Sequence, residues 1–511
     1  MNIREAKTQI KQAVSIYLAK DEYGNYRIPL MRQRPVFLLG APGIGKTAIM
    51  EQIAKELDIA LVTYSMTHHT RQSAIGLPFI TQREYGGETY DVSMYTMSEI
   101  IASVYENMEK SGKKEGILFL DEINCVSETL TPSMLQFLQY KTFGNHRVPD
   151  GWVIVTAGNP PEYNRSVREF DVVTLDRMKI LKVEPDYEEW KLYAQQRNLH
   201  KSILTYLDIK KEDFYEIENT VDGKTYVTAR GWEDLSEAIY LYEEQGFAVD
   251  ETLVSQYLRN KRICGEFSSY YELFRKYRTD YRIPEILSGR EDDLVRARAK
   301  QASFDERISI VGLLLEAILP QIAQNVETEI NLRDLHTRLK AIRDDQTLRT
   351  VTVLLDDMIE GYMRERKEAE AGSGLDDTER RRYQYRIRFA EEAKQKIRLE
   401  NAQTKEGAFG VVSALFAKRV ADMRAQTADI SDQLNHLFSF VETSFGDGNE
   451  MLILVTELTV NYSSARFIAE KGCEPYYRYN KKFLLYERNR KLMDELESLA
   501  RHETQEDHLL V

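Results

Sequence analysis

Gly40, Gly45, Lys46 and Thr47 satisfy the pattern G-x-x-x-x-G-K-[ST] within "GAPGIGKT", and their types suit them to holding phosphate. Gly43 and Gly45 free the backbone to aim successive N–H groups inward. A helix beginning near Lys46 adds the positive end of its dipole, so the loop is an anion cradle. The Lys46 ammonium would reach the β and γ phosphates of a nucleotide, and the Thr47 hydroxyl would hold a Mg²⁺ that bridges them. Pro42 and Ala48 complete the expected lining. Farther along, "GILFLDEIN" ends an apolar run in Asp121 and Glu122, the Walker B pattern. Beside a bound triphosphate the two carboxylates divide the work. Asp121 would hold the metal through water, and Glu122 would orient and deprotonate the attacking water. "WVIVTAGNP" brings Asn159 to the end of another apolar run, where its amide would hydrogen-bond that water or the γ-phosphate. Asn-Pro-Pro is also sound turn chemistry in its own right.

These groups need a scaffold that gathers them at one edge. The runs "VFLL", "LVTYS", "GILFL", "WVIVTAG" and "MKILKV" alternate with amphipathic helical patterns. That alternation predicts an α/β domain over 31–185 with a mostly parallel sheet, its chemistry at the carboxyl ends of the strands. The "GILFL" strand is expected next to "VFLL". Residues 1–30 read as an amphipathic helix packed on this core. From 186 to 290 the pattern turns helical, with one hairpin expected around Asp222-Gly223. Residues 291–370 and 371–511 read as two further helical regions, separated by a linker in "EAEAGSGLDD", Glu368 to Asp377. In "NEMLILVTELTVNYSSARFIAEKG", Leu452, Val455, Leu458 and Tyr462 fit one helical face.

A chain of 511 residues is too long for one core. Its net charge of −13 argues against broad binding to nucleic acid or anionic membranes, and no signal peptide or membrane-spanning run is evident, so a cytoplasmic location is expected. Cys125, Cys264 and Cys473 show no metal or disulfide spacing. His68 and His69 lack a third ligand at useful spacing and read as polar loop residues.

The order "GAPGIGKT", "LFLDEIN", "VTAGNP", "LDRM" and "TARGWEDLS" resembles the AAA+ ATPases, and within them the MoxR branch, over about residues 31–285. The resemblance implies a P-loop AAA+ core, a helical lid over 186–290 and a largely helical C-terminal region that recruits a partner. It implies ATP and Mg²⁺ as cofactors and ATP hydrolysis in a homo-oligomeric ring, expected to be a hexamer. Asn159 then matches sensor 1, and Arg230, opening a lid helix, matches sensor 2. Arg177 matches the arginine finger sent into a neighbouring subunit, with Arg165 and Arg168 as alternatives. Met178 departs from the phenylalanine usual in the family. An insert between the second strand and Walker B would face the ring's pore or upper surface. The implied task is remodelling a protein client, with a von Willebrand factor A domain protein as the partner class. A nucleotide-gated scaffold and a nucleic-acid motor are the alternatives. Glu122 argues against the first, since binding alone needs no base, and the acidic composition argues against the second.

Overall fold

The computed structural model describes residues 1–484 apart from 69–73, 75, 164–166, 168–169, 221–222, 348 and 373–374. The chain forms two compact units. The first comprises Met1–Trp190, Thr228–Gly231 and Ile359–Gln384, and the second comprises Lys191–Val227, Trp232–Met358 and Tyr385–Val511.

Five parallel strands build the sheet of the first unit: β1 (Val36–Gly40), β2 (Ala60–Ser65), β3 (Gly116–Asp121), β4 (Trp152–Gly158) and β5 (Lys179–Val183), in the order β2-β3-β4-β1-β5. All five expected strands are present, but the expected pairing of β3 with β1 is not. Instead β4 lies between them, Leu118 standing beside Ile154 and Val36 beside Val155. The physical reason is burial. All seven residues of β4 are buried, so this uniformly apolar strand takes the central position.

Helices α1 (Ile3–Tyr17), α2 (Lys46–Leu57), α3 (Glu99–Ser111) and α4 (Thr131–Tyr140) accompany the sheet. A capping box of Asn2 and Glu5 starts α1, which buries Ala6, Ile10, Val14 and Tyr17. Its outer face reaches α2, where Lys7 and Lys11 meet Glu56 at 2.7 and 2.6 Å. The insert after β2 includes a solvent-exposed antiparallel hairpin, Pro78–Tyr85 with Glu88–Tyr95, turned by Gly86 and Gly87. Of the two adjacent histidines, His69 lies outside the described residues. The expected linker falls where helix Val351–Gly372 ends and helix Asp377–Leu399 begins, and its Ser373 and Gly374 lie outside the described residues. Leu375 is buried there, and Asp376 and Glu379 approach Lys55 of α2 at 3.6 and 3.5 Å.

Lys141 follows α4 with its side chain buried, its ammonium donating to the carbonyl of Leu138. Burial pushes this ammonium down to about 7. The folded pKa lies below the ordinary lysine value, so the unfolded chain binds the extra proton between about pH 7 and the usual lysine range. Over that window stability rises with pH, and below it the full cost of burying the charge persists. Lys141→Met is therefore expected to raise stability at pH 7 by about 1–3 kcal/mol and to flatten the dependence above pH 7. Denaturant unfolding of both proteins at pH 7 and pH 9 measures it, and an unchanged pH slope would refute it.

The second unit is mainly helical. Helices Phe304–Asp344 and Lys405–Phe445 pack on each other, and shorter helices between 281 and 479 join the same apolar core. That core includes Tyr281, Ile286, Val295 and Ile310, so it runs through the expected boundary at 290. Helix Phe304–Asp344 is long and apolar enough to cross a bilayer, a property the sequence reading missed, and 67% of the qualifying stretch is buried inside the unit. Near the end, two helices form, Asn449–Val460 and Tyr462–Lys471. Val455 and Leu458 are buried as expected, but Leu452 and Tyr462 are exposed, and Met451 and Leu454 take the inner face. The expected hairpin pairs Glu216–Thr220 with Gly223–Val227, while Asp222 of its turn lies outside the described residues.

Candidate functional site

At the carboxyl end of β1 the chain turns through Gly40, Ala41, Pro42, Gly43, Ile44 and Gly45 into α2. Gly43 and Gly45 have φ of +74° and +87°, a left-handed backbone that disfavours any side chain. The first residues of α2 are Lys46, Thr47 and Ala48, so unbonded helix N–H groups face the loop.

Lys46 is buried, and its ammonium donates at 2.8 Å to the carbonyls of Gly40 and Ala41 and to Asn159 Oδ1. Burial pushes this ammonium down to about 8, with Arg230 acting in the same direction and Asp121 and Glu122 opposing. A bound polyphosphate would offer the ammonium stronger acceptors than two carbonyls and an amide. The Thr47 hydroxyl donates to Asp121 Oδ2 at 2.9 Å, joining the start of α2 to the end of β3. A hydroxyl and a carboxylate so placed fit the oxygen donors Mg²⁺ takes beside substrate phosphates.

Glu122 follows with φ 56° and ψ 36°, a left-handed conformation uncommon for a residue with a side chain. Its N–H donates to Asp121 Oδ1 at 2.9 Å, and its carboxylate accepts from Ser65 Oγ at 3.2 Å. Ser65 ends β2, the strand beside β3. Asn159 follows β4, and its carbonyl accepts from the buried Asn124 amide at 2.8 Å. Asn124 also packs against Gly158 so closely that a Cβ there would lie 2.4 Å from Asn124 Oδ1.

Arg230 stands in the first turn of α5 (Ala229–Gln245), whose N-terminus is bonded by Thr228 Oγ1 accepting from Gly231 N–H at 3.2 Å. A Cβ built on Gly43 would meet Thr228 Cβ at 3.2 Å and Arg230 Cβ at 3.4 Å, so this segment borders the loop. The structure thus gathers Lys46, Thr47, Asp121, Glu122, Asn159 and Arg230 around the cradle.

Arg177 is not among them. It precedes β5, which pairs with β1 in parallel so that Lys179 lies beside Val36. Arg177 is therefore at the amino edge of the sheet, about 16 Å of strand away from the loop at the carboxyl edge. There the exposed guanidinium lines a pocket of about 380 Å³ with Pro35, Pro132, Leu135, Tyr140 and Val173. Val172 and Val173 beside it are 81% and 58% exposed, an apolar surface rather than a solvated face. Arg165 and Arg168 lie outside the described residues.

Sequence reasoning missed Ser65, Asn124 and Thr228. Asn124 had a local signal, an amide three residues past Asp121 in "DEIN", whereas Ser65 and Thr228 acquire their roles only through the strand order and the return of the chain at 228.

A glycine loop between a parallel strand and a helix, with a hydroxyl-carboxylate pair at its mouth, defines a P-loop nucleotide-binding module. Residues 35–178 match the family model described as AAA domain (dynein-related subfamily), which supports an AAA+ ATPase. No curated protein matches the chain.

Proposed function

We propose that the chain is a MoxR-like AAA+ ATPase that hydrolyses MgATP in a ring, a hexamer by analogy, to remodel or mature a protein client. The observation that carries hydrolysis is the Thr47–Asp121 bond with Glu122 beside it. A metal anchor and a base then share the edge where Lys46 and Asn159 meet. Lys46 and the loop N–H groups would hold the β and γ phosphates, and Thr47 and Asp121 would hold Mg²⁺. Glu122 would take a proton from the attacking water while Asn159 orients it. Arg230 would touch the phosphates from the start of α5. Arg177 would act on the neighbouring subunit's nucleotide. The large helical second unit is the candidate surface for the client, a von Willebrand factor A domain protein being the class to test first. The test is capture of clients on Glu122→Gln in MgATP followed by mass spectrometry. Release of a specific protein by ADP supports remodelling. Equal recovery with ATP, ADP and no nucleotide sinks it.

Asn124 gives a sharper test of positioning. Its amide fixes the carbonyl of Asn159, so Asn124→Leu should let Asn159 drift while leaving Lys46 and Thr47 in place. Turnover is expected to fall about 10- to 100-fold with nucleotide Kd nearly unchanged. Equal losses in both quantities would point to a disturbed fold instead.

A further inference from the structure

The exposed hairpin of the first unit, Pro78–Tyr85 with Glu88–Tyr95, holds none of the phosphate-directed residues. Gly86 and Gly87 have φ of +64° and +90°, as a two-residue type I′ turn requires. Such a turn makes Tyr85 and Glu88 a hydrogen-bonded pair, and bonded and unbonded pairs then alternate along the ladder. The base keeps the same phase, with Thr96 N–H donating to the Leu77 carbonyl at 2.9 Å and Leu77 N–H to Thr96 Oγ1 at 2.9 Å. Ile80, Gln82 and Glu84 therefore turn their backbone N–H and C=O groups away from the partner strand. Thr89, Asp91 and Ser93 do so on the opposite side.

The two outer edges differ. Tyr95 is the next outward residue after Ser93, and its carbonyl accepts from His146 Nε2 at 3.2 Å. A Cβ on Gly144 would lie 3.4 Å from Tyr95 Cβ, so the short hairpin Thr142–Phe143 with His146–Arg147 closes that edge at its base. On the other edge the backbone groups of Ile80, Gln82 and Glu84 have no hydrogen-bond partner among the described residues. Natural edge strands are blunted by bulges, by shortness, or by Pro and Lys. This one runs eight residues in unbroken register, has no Lys, and has its only Pro at the base, Pro78. It presents Ile80 at 75% exposure and Phe79 at 43%.

Charge selects the occupant. Ile80, Gln82 and Glu84 share one face of the hairpin with Thr89, Asp91 and Ser93. Asp91 stands opposite Gln82, diagonal to Glu84, so the two carboxylates are neighbours on that face. Pairing two copies of this edge would bring four of them together. An extended segment with apolar side chains on one face and Lys or Arg on the other meets both the apolar positions and the acids.

We propose that the Ile80–Glu84 edge receives an extended, basic segment of the protein client as a third strand. Main-chain bonds to Ile80, Gln82 and Glu84 would supply affinity, and Glu84 with Asp91 would select Lys or Arg. That the strand comes from a client rests on the remodelling role proposed above. That the edge takes an extended peptide does not.

The test is fluorescence anisotropy of the full chain, without nucleotide, using a short labelled peptide in which Val alternates with Lys and Thr. Saturable binding is expected. Gln82→Pro removes one outward N–H and no ladder bond, and should weaken binding about 10-fold or more. Ser93→Pro makes the same change on the other strand and should bind as the parent does. Glu84→Lys should weaken the Lys peptide and favour a version with Glu in place of Lys. Absence of saturable binding overturns the site. Equal losses in Gln82→Pro and Ser93→Pro, with unchanged charge preference in Glu84→Lys, overturn it too. Self-association of the parent chain that Gln82→Pro abolishes would overturn it in favour of a second copy. Nucleotide-dependent capture on Glu122→Gln judges the remodelling role separately, so peptide binding that persists where capture fails keeps the edge and removes the client.

Discussion

Glu122→Gln should bind MgATP as the wild-type chain does and turn it over about 100- to 10,000-fold more slowly. Removing a general base forfeits that factor while leaving the phosphate contacts intact. Glu122 is suited to the role by where it stands, just past the end of β3 beside Asp121. Its carboxylate is bonded by Ser65, and its left-handed backbone at φ 56° turns it away from the line of β3. A chain held in that conformation spends backbone energy on placing one side chain. Lys46→Ala should fail differently. It removes the ammonium now shared among Gly40, Ala41 and Asn159, so nucleotide affinity itself should collapse. Calorimetry with a slowly hydrolysed nucleotide, run beside steady-state turnover, separates the two. Wild-type turnover in Glu122→Gln would refute its role as base, and unimpaired binding in Lys46→Ala would remove the phosphate loop from the site.

How much of this was legible in the sequence follows the range of the interactions. The phosphate loop is local: strand, turn and helix start occupy one short stretch, so Gly43, Gly45, Lys46 and Thr47 could be placed from residue types alone. β1, β3 and β4 were legible for a related reason, since a strand buried on both faces is apolar almost throughout, whereas the partly exposed β2 and β5 showed only as short runs between helical patterns. Their order was not. β3 and β1 are separated by β4, and "GILFL" carries no mark of the neighbour it pairs with. Ser65 was invisible for that reason, because a serine ending β2 meets Glu122 only once β2 pairs with β3. The helical second unit was legible as helix but not as a single core. Tyr281 and Tyr479 share one apolar cluster across almost two hundred positions, and charged outer faces mask such long-range pairing. The stretch around Leu375 reads as a linker by composition, because Gly and Ser mark a break whether they join domains or helices.

Mixing Arg177→Ala with Glu122→Gln, each inactive alone, should restore ATP turnover. The geometry supplies the reason. Arg177 is at the amino edge of β5, about 16 Å of strand from the loop that begins where β1 ends, and a guanidinium cannot span that distance within its own chain. An exposed arginine among Pro35, Tyr140 and Val173, next to Val172 at 81% exposure, is instead suited to meeting another protein surface. A neighbouring copy would bring its Arg177 to the γ-phosphate held by Lys46 and Asn159, where a fixed cation stabilises the charge of the transferring phosphoryl group. Loss of such an arginine costs about three to five powers of ten in rate, so Arg177→Ala should bind nucleotide and barely turn over. In a mixed ring, an interface pairing Glu122 from the Arg177→Ala chain with Arg177 from the Glu122→Gln chain is complete. Activity should therefore peak at intermediate ratios, and subunit exchange should be verified by labelled chains in the same samples. Arg168→Ala in place of Arg177→Ala is the control. Recovery with only the Arg168 variant would move the finger to that residue. No recovery in demonstrably mixed rings, repeated with tandem-linked subunits so that an intact interface is guaranteed, would remove Arg177 from the neighbour's site altogether.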